Sequence, residues 1–277
     1  MTIPKKLLPT RKQLSNYIYR CKKTYIEQNM TGTIADFLEF KAKNSWSTEL
    51  EGEKMFVVYL NNAVDNFIMI LSSKALLTNL IDQPEKSKQP SFFNIDATYK
   101  LIVDGFLVLT LCTEDPKHRG RVVALGITLH EDFEAYKTFI LEIRRFLEIQ
   151  MQYLWSPTFC MSDGADSIHK AVKTVFPWCK QLLCYFHVKK AVKRHISTTK
   201  NLEVKKKLKA NQGLIMYGLK LLHKTPSAER FDQLWKLLSA KLMTEHEVPL
   251  KFIEYMNTEY ISTSKYWNVG SAFVGNN

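Results

Sequence analysis

Tyr136, Phe139, Ile140, Ile143, Phe146 and Leu147 recur three or four residues apart, the spacing of one face of an α-helix, and predict a long helix over 133–151. Before it the texture is different. Short runs of apolar and β-branched residues at 92–95, 106–112 and 121–128 read as strands, joined by turns that carry Asp104-Gly105 and the stretch from Asp115 to Gly120. After the long helix a fourth strand ends at Asp163, a helix follows over 166–175, and Pro177 stops it. A fifth strand at 182–185 passes straight into a basic helix. Upstream, Thr10 to Gln13 fits a capping box before Leu14, Tyr17, Ile18, Cys21 and Tyr25, and Thr33 opens a second helix. Two strands at 56–60 and 67–71 and a helix over 73–81 come next. The polar stretch 82–90, with Pro84 and Pro90, is expected to break the pattern and mark a boundary. Beyond residue 200 the pattern is helical, with Phe231, Leu234, Trp235, Leu237, Leu238 and Leu242 at helical spacing and another helix over 251–260.

Three meandering strands followed by alternating helix and strand units form the order of an RNase H-like α/β fold. The expectation is a mixed five-stranded sheet with helices on both faces over 91–199, a small α+β region over 1–82 and a helical, insertion-like segment over 200–277.

Composition adds a partner. With 277 residues, 45% hydrophobic and 24% charged, the chain is ordinary globular material that can bury a core. No run approaches the ~18 uncharged apolar residues of a membrane span, and the basic start has no apolar stretch after it, so an intracellular protein is expected. The five cysteines, odd in number and scattered, suggest reduced thiols. The net charge is +12, and between Lys189 and Lys224 eleven Lys and Arg stand against one acid, Glu203. Lys189, Lys190, Lys193, Arg194, Lys205, Lys206, Lys207 and Lys209 form the densest part of this block. Such a block is the footprint of a polyanion, with duplex DNA as the expected partner; a solvated helix face is the bland alternative.

The candidate chemistry rests on Asp96 and Asp163, each at the end of an apolar stretch that reads as a strand. Two carboxylates converging at one sheet edge suit a hard divalent cation, Mg²⁺ or Mn²⁺, and the phosphodiester chemistry such ions support. Neighbouring acids have plainer explanations: Asp104 sits in a turn before Gly105, and Asp166 stands where a first-turn helix acid would. His169 and His195 have no constellation around them.

The runs Phe93-Asn94-Ile95-Asp96-Ala97-Thr98-Tyr99-Lys100, Met161-Ser162-Asp163-Gly164-Ala165-Asp166, Phe176-Pro177 and Cys184-Tyr185-Phe186-His187-Val188-Lys189-Lys190 together resemble the central domain of Mutator-like element (MULE) transposases. The resemblance is strong over about 85–195 and weaker over 10–81. It implies a DDE transposase with an RNase H-like core, metal-dependent DNA strand cleavage and transfer, and a nuclear location. Asp96 and Asp163 match the first two acids of the family's triad. Cys184 and His187 match a Cys-x-x-His element; a packing or substrate-contact role is expected for them, since a closed zinc site needs four ligands and no second pair follows. The family's glutamate follows an Asn-Asn motif, and Trp267 to Asn277 resembles the approach to it. The third acid is therefore expected to be missing from these residues, leaving an incomplete metal site and a chain inactive alone, unless Glu247, Glu254 or Glu259 substitutes. A non-catalytic DNA-binding or interaction module derived from a transposable element is the alternative.

Overall fold

The computed structural model of the chain describes residues 34–87, 90–98, 106–115, 119–261 and Trp267. The helix expected from Thr10, the Asp104-Gly105 turn and the run from Asn268 to Asn277 lie outside the described residues.

Seven strands form one mixed sheet: β1 (Phe56–Asn61), β2 (Ile68–Ser72), β3 (Phe92–Thr98), β4 (Leu107–Glu114), β5 (Gly120–Thr128), β6 (Phe159–Ser162) and β7 (Lys180–Leu183). Their order is β1-β2-β5-β4-β3-β6-β7. β3 pairs parallel with β6 and β6 with β7, and every other pairing is antiparallel. Parallel neighbours need a crossover, and helices supply both. Helix α3 (Phe133–Met151) links β5 to β6, and α4 (Asp166–Val175) links β6 to β7, after α1 (Ile34–Lys43) and α2 (Lys74–Ser87) earlier in the chain.

The sequence reading expects five strands in this sheet, and the structure has two more. The hairpin β1–β2 extends the edge, with Ile68 to Leu71 of β2 paired to Leu125 to Thr128 of β5. Its apolar residues Phe56, Ile68 and Ile70 share the core with Phe93, Leu109, Tyr136 and Phe139, so burial rewards the attachment. The polar stretch at 82–90 also differs from expectation. Helix α2 runs on through Pro84 to Ser87, although the proline lacks the N–H that would bond to the Leu80 carbonyl one turn back. Gln83, 4% exposed, then clamps the helix to the sheet: its Oε1 accepts from the Phe92 N–H at 3.1 Å and its Nε2 donates to the Pro90 carbonyl at 3.4 Å.

Helix α3 and helix α4 occupy the ranges that periodicity predicts. The Asp132 side chain caps α3 by accepting from the Ala135 N–H at 2.9 Å, and Gln152, at φ 53°, closes it in the left-handed conformation. The helix lies close on the sheet because β5 has a glycine under it: a Cβ on Gly126 would stand 3.0 Å from the Phe139 ring.

The basic block is not one helix. It divides into α5 (Tyr185–Thr198) and α6 (Leu202–Ala210), because Asn201 starts a new helix by accepting from the Val204 N–H at 3.1 Å. Thr198 and Thr199, whose hydroxyls donate to the carbonyls of Arg194 and His195 at 2.8 and 2.7 Å, end the preceding turn. Helices α7 (Gln212–His223), α8 (Ala228–Thr244) and α9 (Leu250–Met256), then a π-turn over Asn257–Ile261, complete a helical layer. That layer has its own core, built from Val192, Leu208, Leu219, Phe231, Trp235 and Phe252 among others.

Candidate functional site

The register of the two central parallel strands sets the site. Phe92 pairs with Phe159, Phe93 with Cys160 and Asn94 with Met161. Extended by two residues, this ladder brings Asp96 level with Asp163. Extending the β6–β7 ladder one step past Ser162 and Leu183 brings Asp163 level with Cys184, and the Cys184 N–H donates to the Ser162 carbonyl at 2.7 Å. Asp96, Asp163 and Cys184 therefore occupy the same level at the carboxyl ends of three adjacent parallel strands. This edge of an open α/β sheet is where ligands characteristically bind.

Each carboxylate is held by a neighbouring backbone N–H. Phe93 and Ile95 are buried on one face of β3, and Asp96 alternates with them, half-buried. Its Oδ1 accepts from the Ala97 N–H at 3.0 Å, and Thr110 on the adjacent strand donates its hydroxyl to the Asp96 carbonyl at 3.2 Å. Asp163 is exposed, just past β6, where Gly164 at φ +89° makes the sharp turn into α4. The Asp163 Oδ1 accepts from the Ala165 N–H at 2.9 Å. Among the described residues neither aspartate forms an ion pair with Lys or Arg. Among the described residues each carboxylate is held by a backbone N–H alone.

A buried phenol registers both carboxylates. Tyr136, fully buried in the first turn of α3, donates its hydroxyl to Glu131 Oε1 at 2.8 Å. Burial, then the Glu131 hydrogen bond and charge, then the charges of Asp163 and Asp96 push the phenol well above its ordinary pKa. The Cys112 thiol is raised by burial and by the charge of Asp96. Periodicity assigns Tyr136 to the apolar stripe of the helix and gives no role to Glu131. The only local signal was an acid directly before the α3 cap residue.

The remaining candidates fall in three places. Asp166 is a first-turn acid of α4, as expected. Among the described residues, Cys184 stands at the N-cap of α5 without a side-chain capping bond, and His187 follows in the first turn with its Nδ1 buried and without a hydrogen-bond partner. Glu247 pairs instead with Lys207 at 2.8 Å, while Glu254 lies on α9 and Glu259 in the π-turn, both exposed. Among the described residues no three His, Cys, Asp or Glu side chains group closely enough to hold a metal ion. Of the basic residues, Lys190, Lys193, Arg194, Lys206 and Lys209 are exposed, Lys189 lies over the Tyr185 ring at 5.9 Å, and Lys205 is half-buried. No described helix is long and apolar enough to cross a membrane.

Tyr185 also receives the end of the helical layer. It stacks on His223 with ring centroids 4.2 Å apart, and His223 Nδ1 is 2.7 Å from the carbonyl of Trp267. Trp267, 3% exposed, donates its indole N–H to the Tyr260 carbonyl at 2.8 Å and packs against Phe231. Residue 267 is thus tied to the start of α5, one turn from the carboxylate edge.

No curated protein matches the chain significantly. The family model of the MULE transposase domain matches residues 92–191, from the start of β3 into α5, and so spans Asp96, Asp163, Cys184 and His187. Over this segment the resemblance read from the residue runs is borne out, and the chain is similar there to the MULE transposase domain.

Proposed function

We propose that the chain provides the core of a MULE-type DDE transposase, acting on DNA in the nucleus through metal-dependent strand cleavage and transfer. The observation that carries this reading is the parallel ladder of β3 and β6, which brings Asp96 and Asp163 to one level at the strand ends. The succession β5-β4-β3-β6-β7, an antiparallel meander extended by two parallel strands, supports an RNase H-like core within the larger sheet.

Asp96 and Asp163 are the residues that would hold Mg²⁺ or Mn²⁺, whose bound charge orients and neutralises oxygens around a phosphodiester undergoing in-line displacement. The fit is supported by two carboxylates that each have one oxygen on a neighbouring backbone N–H and no cationic partner among the described residues. The exposed cations of α5 and α6 would hold the phosphates of the substrate. Cys184 and His187 are read as packing and substrate-contact residues rather than as half of a zinc site. With two carboxylates, metal binding is expected to be weak and the chain inactive alone. The alternative is a non-catalytic DNA-binding or interaction module of the same descent.

Thermal melting with and without millimolar Mn²⁺ tests the site. The parent should gain about 2 °C, the size expected when ligand is a few times its Kd, and Asp96→Asn and Asp163→Asn should each lose the gain. Stabilisation that survives both substitutions removes the site assignment. Mn²⁺-dependent cleavage of labelled duplex by the parent would show that a further acid completes the site; its absence, with metal binding retained, supports the incomplete one.

A further inference from the structure

Helix α5 buries Val188, Val192 and Ile196, one stripe at four-residue spacing, against the helical core. Phe186 does not belong to that stripe. At 100° per residue it lies ~200° from Val188, on the opposite side of the helix. It is 59% exposed, a large apolar ring in open solvent at the first turn. Its companions on that side are Lys190, Lys193 and Arg194, four, seven and eight residues on, all exposed. The ring's one aromatic neighbour among the described residues is His187, edge to face at 5.4 Å, which leaves a face open.

Position gives this ring a purpose. Cys184, two residues earlier, is level with Asp163 and bonded to the Ser162 carbonyl. The sequence along the helix surface is thus carboxylate edge, aromatic ring, then cations. A nucleic-acid strand has the complementary order of phosphates and flat bases, and an aromatic ring beside a cationic track is how proteins hold unpaired bases without reading their identity. The interior of a duplex offers no base face to such a ring, because its bases are stacked on one another.

We infer that Phe186 is a stacking platform for an unpaired DNA base next to the phosphodiester facing Asp96 and Asp163, with Lys190, Lys193 and Arg194 holding the phosphates that follow. The inference rests on the DNA reading above and deepens it: the preferred substrate is a duplex end with a single-stranded overhang or an unstacked base. Because Phe186 is exposed, its replacement leaves the fold intact.

The test compares the full 277-residue chain with Phe186→Ala, Phe186→Trp and Lys190→Gln/Lys193→Gln, by fluorescence anisotropy on blunt duplex and on duplex with a short overhang carrying a fluorescent purine analogue. The parent should prefer the overhang and quench the purine. Phe186→Ala should weaken overhang binding about tenfold and abolish quenching, with blunt duplex binding and salt dependence unchanged, and Phe186→Trp should restore both. The double lysine variant should weaken both substrates alike and flatten the salt dependence. Equal binding of the overhang by parent and Phe186→Ala overturns the stacking role while leaving DNA binding in place. Failure of the parent to bind either substrate overturns the DNA reading and this inference with it.

Discussion

The sheet edge and the helical layer place their charges by different means. Asp96 and Asp163 are fixed by backbone ladders: β3 is paired on both sides, and a glycine turn at φ +89° sets the direction of the chain after Asp163. Most cations of α5 and α6 are placed by helix phase at the ends of long side chains in solvent, Lys207 with its Glu247 partner and Lys189 over the Tyr185 ring aside. Metal-assisted chemistry depends on sub-ångström placement of its ligands, whereas attraction of a polyanion depends mainly on the number of charges and tolerates slack. Under the proposed function, backbone-fixed carboxylates and cations on long side chains divide the labour between acting at one phosphodiester and gripping DNA broadly.

The largest expected effect lies in the packing beneath the edge. Trp155, fully buried, packs edge to face on Phe93 and Phe176, with centroids 5.1 and 4.9 Å away. Trp155→Ala should cost about 3–5 kcal/mol in denaturant unfolding, and the Mn²⁺-dependent gain in melting temperature should fall with it, because β3 loses its support. A variant that keeps both would show that the edge is not held by this core.

The next effect concerns the helical layer. Replacing Lys205, Lys206 and Lys209 by Gln should lower the slope of log affinity against log salt by up to about 2.7 on duplex DNA, at ~0.9 per phosphate contact, without changing the melting temperature. Adding Lys207→Gln should do less than any of the three, since Lys207 already pairs with Glu247 at 2.8 Å. An unchanged slope removes α6 from the contact surface. A large further drop from Lys207 would show that the DNA displaces Glu247.

The smallest expected effect is one of pH. His195 stacks on Tyr255 with centroids 3.7 Å apart, and burial lowers its pKa from the ordinary 6.5. The unfolded chain therefore takes up the proton first, so this contribution to stability is complete above pH ~6.5 and is lost as pH falls through the lower folded value. The loss should appear as a modest decline in melting temperature on acidification that His195→Gln removes. Because the ring is partly solvated, the decline should be smaller than either effect above.

Much of the fold was legible along the chain because it is locally encoded. The ranges of α3 and α4 follow from apolar periodicity, which is confined to a few turns. Asp96 and Asp163 stood out for the same reason, as acids terminating apolar runs. The rest depends on partners far apart in sequence. Ile70 meets Gly126 across a ladder that no local pattern announces, which is why the hairpin looked separate and the sheet looked five-stranded. Proline at position 84 signalled a break, and only the clamp of Gln83 onto Phe92 shows why the helix continues.

Hydrophobic pattern by itself determined most of the helix and strand segments, and residue type determined that two carboxylates and a basic block were worth joining. Tertiary structure decided that β3 and β6 are parallel neighbours in the register that levels Asp96 with Asp163, that Glu131 is bonded to Tyr136, that Glu247 neutralises Lys207, and that Phe186 faces solvent beside the edge. The physical reason is that local conformation is selected by energies within a turn or a strand. Register and exposure are instead selected by burial and pairing summed over the whole sheet.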